Sequence, residues 1–373
     1  MNNPQPLILT FEHSLRQENW QTRLPALPDD GFNKWKSAVH PLPVITCHGT
    51  DAVAFKRVQQ EIEAHSVSGS KIFAVGKAPS EIAFFHRLKT KLPSLPWCII
   101  ALRAPNGANS DPLEQAGADY VVSNLSESAM LIQTPPISAS LSVVLLAYNE
   151  ADVLEKSVND VHRFCRQYAP AYEIIIVDDG SSDSTEVLCS RLAGKNVRTI
   201  RHSKNMGMGA SMRDGYREAR CDYVVSLPGD RQVRAHSLVA FLPHIAPNTV
   251  VLSQYPVPHS GKRRAVMSTI FRQLVRHVGG LRVDVAGAYL FSTQLFNAAP
   301  VSAIVASNTF LYSFQLLESF KKHGAIFVVV DAVPFPREVG QSREARPGRI
   351  AKMAGELLRH RALSAVHRRF RCR

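Results

Sequence analysis

From Leu141 onward, mostly apolar runs alternate with segments of helical periodicity, and each run stops at a polar cluster. Leu141–Ala147 stops at Tyr148-Asn149-Glu150. Tyr172–Val177 stops at Asp178-Asp179-Gly180-Ser181-Ser182-Asp183, and Asp222–Leu227 at Pro228-Gly229-Asp230-Arg231-Gln232. Between the first two runs, Val153, Leu154, Val158, Val161 and Phe164 recur at helical spacing. Mostly apolar runs without strict alternation suit strands buried on both faces, and repeated β-α units suit an open, mostly parallel sheet. Such sheets bind ligands outside the carboxyl ends of their strands. The pattern puts Glu150 and Asp178 on that edge, at the ends of neighbouring strands.

A carboxylate there can accept hydrogen bonds from ribose hydroxyls or a base N–H. Asp-Asp-Gly-Ser is equally a turn followed by a helix cap, with Ser182, Asp183 or Ser184 capping a helix from Thr185. Val197–Arg201 is a further strand, and Gly207 and Gly209 after it allow a tight turn and close approach to a helix N-terminus. Asp230 and Gln232 offer two oxygen ligands separated by one residue. Extended backbone would place both on one side, which suits a hard divalent cation. The alternative there is an ordinary turn with an exposed Asp.

The chain has 373 residues, enough for two domains. Ahead of residue 138, Pro43–Cys47, Lys71–Val75, Trp97–Leu102 and Asp119–Val122 read as strands. Ala52–Ala64 and Ser80–Leu92 read as helices, giving a small α/β layer with a parallel sheet. Roughly the first forty residues show no clear periodicity. Ile99–Asn124 loosely resembles the last third of a receiver-type, flavodoxin-like domain. A receiver needs an acceptor Asp at the end of its central strand, and Lys71–Val75 runs into Gly76-Lys77 instead, so phosphoryl acceptance is not expected. Asn124–Ser140, with small polar residues and Pro135-Pro136, reads as a linker. Ala325–Val330 fits a buried strand.

The formal charge is +13, and Arg337 to Arg373 carries eleven Lys/Arg against three Asp/Glu. Such a tail suits an anionic partner or a solvated basic helix. Met353, Leu357, Leu358, Leu363, Val366 and Phe370 make Lys352–Arg373 amphipathic, able to lie on anionic lipid or to pack against the catalytic domain. Aromatic and basic residues do not interleave as in nucleic-acid binders, so no nucleic acid is expected. The six cysteines form no C-x-x-C pair and read as thiols of a reducing compartment. The N-terminus lacks a signal-peptide layout, and no apolar run approaches the roughly 20 residues that span a bilayer. The expectation is a cytoplasmic protein, with membrane contact peripheral at the inner face.

Four landmarks occur in order: LAYNE, IIIVDDGSSDST, NMGMGAS and YVVSLPGDRQ. Together they resemble the family 2 glycosyltransferases of the GT-A fold, and within them the dolichol-phosphate and polyprenyl-phosphate sugar synthases. Downstream, Arg264 and Ser268 resemble an Arg-x-x-x-Ser segment, and Asp284 to Tyr289 an Asp-x-Thr-Gly turn. Arg337 to Arg343 resembles an Arg-x-x-Gly-x-Ser-Lys signature. The resemblance implies an α/β fold with a GT-A nucleotide-sugar-binding domain and a mostly parallel central sheet. It implies a nucleotide-sugar donor, Mg2+ or Mn2+ held by Asp230 and Gln232, and an inverting displacement. Ala147, Tyr148, Glu150, Ile176, Asp178, Gly229, Asp230 and Gln232 would line the donor site. Arg337 and Arg343 would close over the diphosphate. The acceptor would be a polyprenyl phosphate or another glycan or hydroxyl, and in the hydroxyl case Asp284 is the base suggested by motif position.

The chain also departs from the family pattern. The carboxylate–x–carboxylate motif reads Pro228-Gly229-Asp230, so its first carboxylate is gone. Gln254 and Leu290 stand where the synthases carry arginines, and Arg343 replaces the final Lys. These losses leave a second reading open, a non-catalytic GT-A domain that binds a nucleotide or a partner. The expected layout is an N-terminal α/β domain plus linker over 1–137, a GT-A domain over 138–345, and a basic helical tail over 346–373.

Overall fold

The computed structural model describes residues 6–11, 36–37, 39–40, 42–47, 50, 52–65, 71–103, 111–254, 287–299, 301, 306–309, 311–331 and 355–360. The chain divides into two units, Met1–Thr134 and Pro135–Arg373.

The first unit is a five-stranded, all-parallel sheet: β1 (Leu7–Thr10), β2 (Val44–Thr46), β3 (Ile72–Gly76), β4 (Trp97–Leu102) and β5 (Tyr120–Val122). Their order, β2-β1-β3-β4-β5, is the flavodoxin-like one. Among the described residues α1 (Ala52–His65), α2 (Pro79–Lys91), α3 (Asp111–Gln115) and α4 (Leu125–Gln133) accompany it. Strand β1 falls among the first forty residues, where no periodicity was expected. Its four residues are all buried between β2 and β3. The stretch expected to be a linker contains α4. Asn124 Oδ1 caps it by accepting from Glu127 N at 2.8 Å, Glu127 Oε2 accepts from Ser123 N at 2.8 Å, and Leu125, Ala129 and Leu131 bury its apolar face. At the end of β3, where a receiver's acceptor would stand, Gly76 is walled in by Ile82, Glu81 and Phe85. The Glu81 carboxylate accepts from Lys77 N at 2.8 Å and Ala78 N at 3.2 Å, so this helix N-terminus carries its own anion.

The second unit is a seven-stranded sheet. Its strands are β6 (Leu141–Ala147), β7 (Tyr172–Asp178), β8 (Val197–Arg201), β9 (Tyr223–Pro228), β10 (Thr249–Gln254), β11 (Tyr289–Ser292) and β12 (Ile326–Asp331). The order is β12-β10-β11-β9-β6-β7-β8. Among the described strands only β11 runs antiparallel, to both β9 and β10. This mostly parallel sheet is the GT-A arrangement that the motifs implied. Helices α5 (Leu154–Tyr168), α6 (Thr185–Leu192) and α7 (Met208–Glu218) make the crossovers between β6, β7, β8 and β9, and α8 (Thr293–Ala298) and α9 (Leu311–Lys322) follow β11. All five apolar residues picked out between β6 and β7 are buried, Val153 just ahead of α5 and the other four within it. Strand β12 is not the buried strand expected. It closes one edge of the sheet, pairs with β10 alone among the described strands, and leaves Ile326 61% exposed.

Part of the basic tail is also described. Helical residues 355–360 send Leu357 fully buried into the cluster formed by Leu311, Tyr312, Phe314 and Phe320 of the second unit, while Leu358 is exposed. Of the two fates open to the tail, these six residues take the packed one, since a fully buried leucine stabilises by about 2 kcal/mol.

Candidate functional site

Strands β6, β7 and β9 end together. Ala147 is level with Asp178, and Leu146 with Pro228. The ladder then continues by one bond on each side, Asp179 N donating to Ala147 O and Gly229 N to Leu146 O, both at 2.9 Å. The loops leaving this edge are laced to each other. Asn149 N donates to Ser181 Oγ at 2.9 Å, Ser182 N to Asn149 Oδ1 at 2.8 Å, and Glu150 N to Thr185 Oγ1 at 3.0 Å. Asn149 takes φ +56°, a left-handed conformation that Asn tolerates better than most side chains. The Ser-Ser-Asp-Ser-Thr stretch is therefore more than a turn and a cap, because its side chains brace the loop carrying Tyr148 and Glu150.

The two adjacent aspartates have different tasks. Asp179 is consumed by structure: its carboxylate accepts from Met206 N at 2.8 Å and Gly207 N at 2.9 Å, and its Oδ1 lies 2.7 Å from His202 Nδ1. Asp178 is 1% exposed. Its Oδ1 accepts from Ser181 N at 3.0 Å and from the Ser181 hydroxyl. Its Oδ2 is buried with no hydrogen-bond partner, and Arg201 Nη1 stands 3.9 Å away. A buried, unmatched carboxylate oxygen costs about 1–3 kcal/mol. At a ligand-binding edge, a ligand N–H or O–H can recover that energy.

The loop after β9 differs from the extended form expected. Gln232 N donates to Asp230 Oδ1 at 3.0 Å, and Arg231 between them takes φ +60°. It is a side-chain-closed turn, and the apposition of Asp230 and Gln232 arises from that turn rather than from strand alternation. Nor is Asp230 exposed: it is 5% exposed. Arg231 turns away from this edge onto Asp160 of α5, Nε at 3.1 Å and Nη2 at 2.9 Å. Gly229 O accepts from Ser157 Oγ at 2.7 Å, which ties the loop to the same helix. Pro228 is tolerated at the strand end because alternation points the nitrogen of residue 228 away from β6, toward which Gly229 N donates.

Among the residues expected at the donor site, Ala147, Tyr148, Glu150, Asp178, Gly229, Asp230 and Gln232 lie on this edge or in its loops. Ile176 does not. It sits two residues inside β7, fully buried in the sheet. Gln254 closes β10 and donates from Nε2 to Asp331 Oδ1 at 2.9 Å, and Leu290 is buried in β11. Asp284, Arg337 and Arg343 lie outside the described residues, as do Arg264 and Ser268. Among the described residues no group of three or more His, Cys, Asp or Glu could hold a metal. Asp230 and Gln232 are a donor set that would fit a cation shared with a diphosphate, not one caged by protein alone.

Gly207 and Gly209 make the close approach expected at a helix N-terminus, and the structure shows what approaches. A Cβ on Gly207 would lie 2.4 Å from Asn308 O, and one on Gly209 would lie 2.3 Å from Thr309 O and 2.7 Å from Ser307 O. The glycines admit the backbone of 307–309 against the first turn of α7, where Gly209 N donates to Asn308 O at 2.9 Å.

Residues 142–321 match the family model described as Glycosyl transferase family 2. An undecaprenyl-phosphate 4-deoxy-4-formamido-L-arabinose transferase of Pseudomonas fluorescens is 36% identical over 95 residues, 25% of this chain and 28% of that protein. Its counterpart in Pectobacterium carotovorum is 33% identical over 96 residues, 25% of this chain and 29% of that protein. The matched stretch thus spans under a third of these relatives' length. Among solved structures, glucosyl-3-phosphoglycerate synthase from Mycobacterium tuberculosis, in complex with Mn2+, uridine diphosphate and phosphoglyceric acid, is 19% identical with a TM-score of 0.45, covering 60% of this chain and 79% of that one. Mannosyl-3-phosphoglycerate synthase from Rubrobacter xylanophilus is 20% identical with a TM-score of 0.45, covering 63% and 77%. With the strand order and the ordered motifs, the family match identifies residues 142–321 as a glycosyl transferase family 2 domain of the GT-A type.

Proposed function

We propose that the chain is a glycosyltransferase that moves a sugar from a nucleoside diphosphate to an acceptor. The observation that carries this reading is Asp178 Oδ2, a buried acceptor left unmatched at the ligand-binding edge of the family 2 domain. In this reading Asp178 receives a base N–H or a ribose hydroxyl, Tyr148 and Glu150 flank the nucleoside, and the backbone of Ala147 and Gly229 forms the floor. Asp230 and Gln232 hold Mg2+ or Mn2+ against the diphosphate. When bound, that cation supplies positive charge to the departing phosphates. Arg337 and Arg343 add to that charge as they close over the leaving group.

The acceptor oxygen attacks the anomeric carbon as the bond to the diphosphate breaks, which inverts the configuration. A phosphate acceptor is already ionised and needs no base. A hydroxyl acceptor passes its proton to a base, for which Asp284 is the candidate. A polyprenyl phosphate acceptor is supported by the names of the relatives matched over the donor-binding half. It fits a protein on the cytoplasmic face of the membrane, held peripherally by the basic residues of 346–373. No helix among the described residues is long and apolar enough to cross a membrane.

Pro228 favours the second reading, a domain that binds nucleotide without turnover, because a lone Asp230 gives a cation only one carboxylate. Titrating UDP-sugars and GDP-sugars with and without Mn2+ separates the two. Metal-dependent release of nucleoside diphosphate supports transfer. Metal-independent binding with no sugar loss sinks it. For the membrane contact, intact protein should co-sediment with anionic vesicles and stay in solution with neutral ones.

A further inference from the structure

Glu356, in the helical residues 355–360, reaches back to the loop at 306–309: its Oε2 accepts from Ser307 Oγ at 3.0 Å and from Thr309 Oγ1. The same loop is fixed from α9, where Gln315 Oε1 accepts from Ser307 N at 2.8 Å. Gln315 Nε2 lies 3.2 Å from His360 Nδ1, and His360 Nε2 lies 2.8 Å from Glu318 Oε2, so the end of the helical segment is pinned to the same helix. On its other side the loop presses on α7. Asn308 O accepts from Gly209 N at 2.9 Å, Asn308 Oδ1 accepts from Arg213 Nη1 at 3.0 Å, and the loop backbone lies so close to Gly207 and Gly209 that a Cβ on either would collide with it. One residue further along, Met206 N and Gly207 N bind the carboxylate of Asp179, the neighbour of Asp178. Three hydrogen-bonded links in series thus connect the Glu356 carboxylate to Asp179 beside the strand-end edge.

We propose that the C-terminal segment is a latch on the donor-binding loop, and that Glu356 is a positioning residue. By holding Ser307 and Thr309, it presses Asn308 onto the start of α7 and so fixes the 202–209 loop that Asp179 grips. The route to the nucleotide rests on the reading of Asp178 given above, whereas the latch itself does not. Glu356→Ala removes the acceptor of both hydroxyls. Glu356→Gln keeps an amide oxygen that both can use, and Gly355→Ala, at a position with nothing within 4 Å of the added Cβ, stiffens the segment.

The test is hydrogen exchange of the full-length chain without ligand, followed by titration with UDP and with GDP. In Glu356→Ala the amides of Met206, Gly207 and Gly209 should exchange about tenfold faster, with those of β6 and β7 unchanged. Glu356→Gln should stay within about twofold of wild type, and Gly355→Ala should slow exchange at the same three amides. Whichever nucleotide the wild type binds should bind Glu356→Ala about tenfold more weakly. In turnover, the donor KM should rise with kcat changed by less than about twofold, as expected for a binding effect alone. Unchanged exchange at Met206, Gly207 and Gly209 in folded Glu356→Ala, or equal acceleration throughout the sheet, overturns the latch. If the wild type binds neither nucleotide, the donor reading falls, and the exchange pattern alone decides the latch.

Discussion

Gly209→Ala should destabilise the catalytic unit, although alanine is the better helix former. Position 209 lies in the first turn of α7, where an exposed Gly→Ala change would stabilise by up to about 1 kcal/mol. Here the new methyl group would lie 2.3 Å from Thr309 O, 2.7 Å from Ser307 O and 2.8 Å from Tyr312 Cβ. Two of these neighbours are backbone and cannot rotate away, so the 307–309 loop must withdraw by about 1 Å, at an overpacking cost of about 1–3 kcal/mol. Withdrawal also stretches the 2.9 Å bond from Gly209 N to Asn308 O, worth about 1 kcal/mol. With the gain in propensity subtracted, the net loss is about 2 kcal/mol, or about 4–8 °C in the Tm of a unit this size. The assay is thermal unfolding of the full chain, with Gly194→Ala as control because nothing lies within 4 Å of a Cβ there. A Gly209→Ala protein with equal or higher Tm than wild type would refute the contact between α7 and 307–309, and with it the route from Glu356.

Three other perturbations test separate parts of the molecule. Asp178→Asn should leave the Tm unchanged or slightly raised, since removing a buried carboxylate oxygen that lacks a hydrogen-bond donor offsets the loss of its 3.9 Å ion pair with Arg201, yet weaken UDP or GDP binding by about 10–100-fold in calorimetry. Asp160→Asn should cost about 2–4 kcal/mol in urea unfolding, because it takes the carboxylate away from the buried guanidinium of Arg231, with Arg234 Nη1 also 3.8 Å away. Burial alone would raise the Glu318 carboxyl, but the hydrogen bonds from His360 and Lys322 outweigh it and hold it down at about 2 from its ordinary 4.5. A lowered carboxyl stabilises above its unfolded value, so this contribution is present above about pH 4.5 and is lost as pH falls through about 2. The part lost between pH 6 and pH 3 is about 2 kcal/mol, and Glu318→Gln should show that much less acid sensitivity than wild type.

The strands that the sequence marked most plainly are the ones buried on both faces. Leu141–Ala147 emerges with the expected ends, because a parallel strand in a covered sheet has almost no solvent side and reads as one apolar word, while Val197–Arg201, half exposed at a sheet edge, keeps its expected ends by pairing with β7. β12 carries the same kind of word, and its place at the sheet edge is decided by pairing with β10, which composition cannot report. β1 was missed for the opposite reason: four residues are too few to show a period, and its centrality comes from lying between Val44–Thr46 and Ile72–Gly76. At the site, Asp178 and Asp230 were visible as strand-end carboxylates. The division of labour between Asp178 and Asp179 was not visible, since it depends on which oxygen meets Met206 and Gly207 across 28 residues of chain. Gly207 and Gly209 were legible as a tight turn with close approach at a helix N-terminus, but what approaches, the backbone of 307–309 about a hundred residues on, cannot be read from their spacing.

The nitrogen of Pro228 faces away from β6, and the next residue, Gly229, makes the bond that anchors the loop, so the pairing with β6 asks nothing of the side chain at 228. The rim is thus replaceable at this position: a substitution there can give or take a carboxylate two residues from Asp230 while the ladder beneath stays the same.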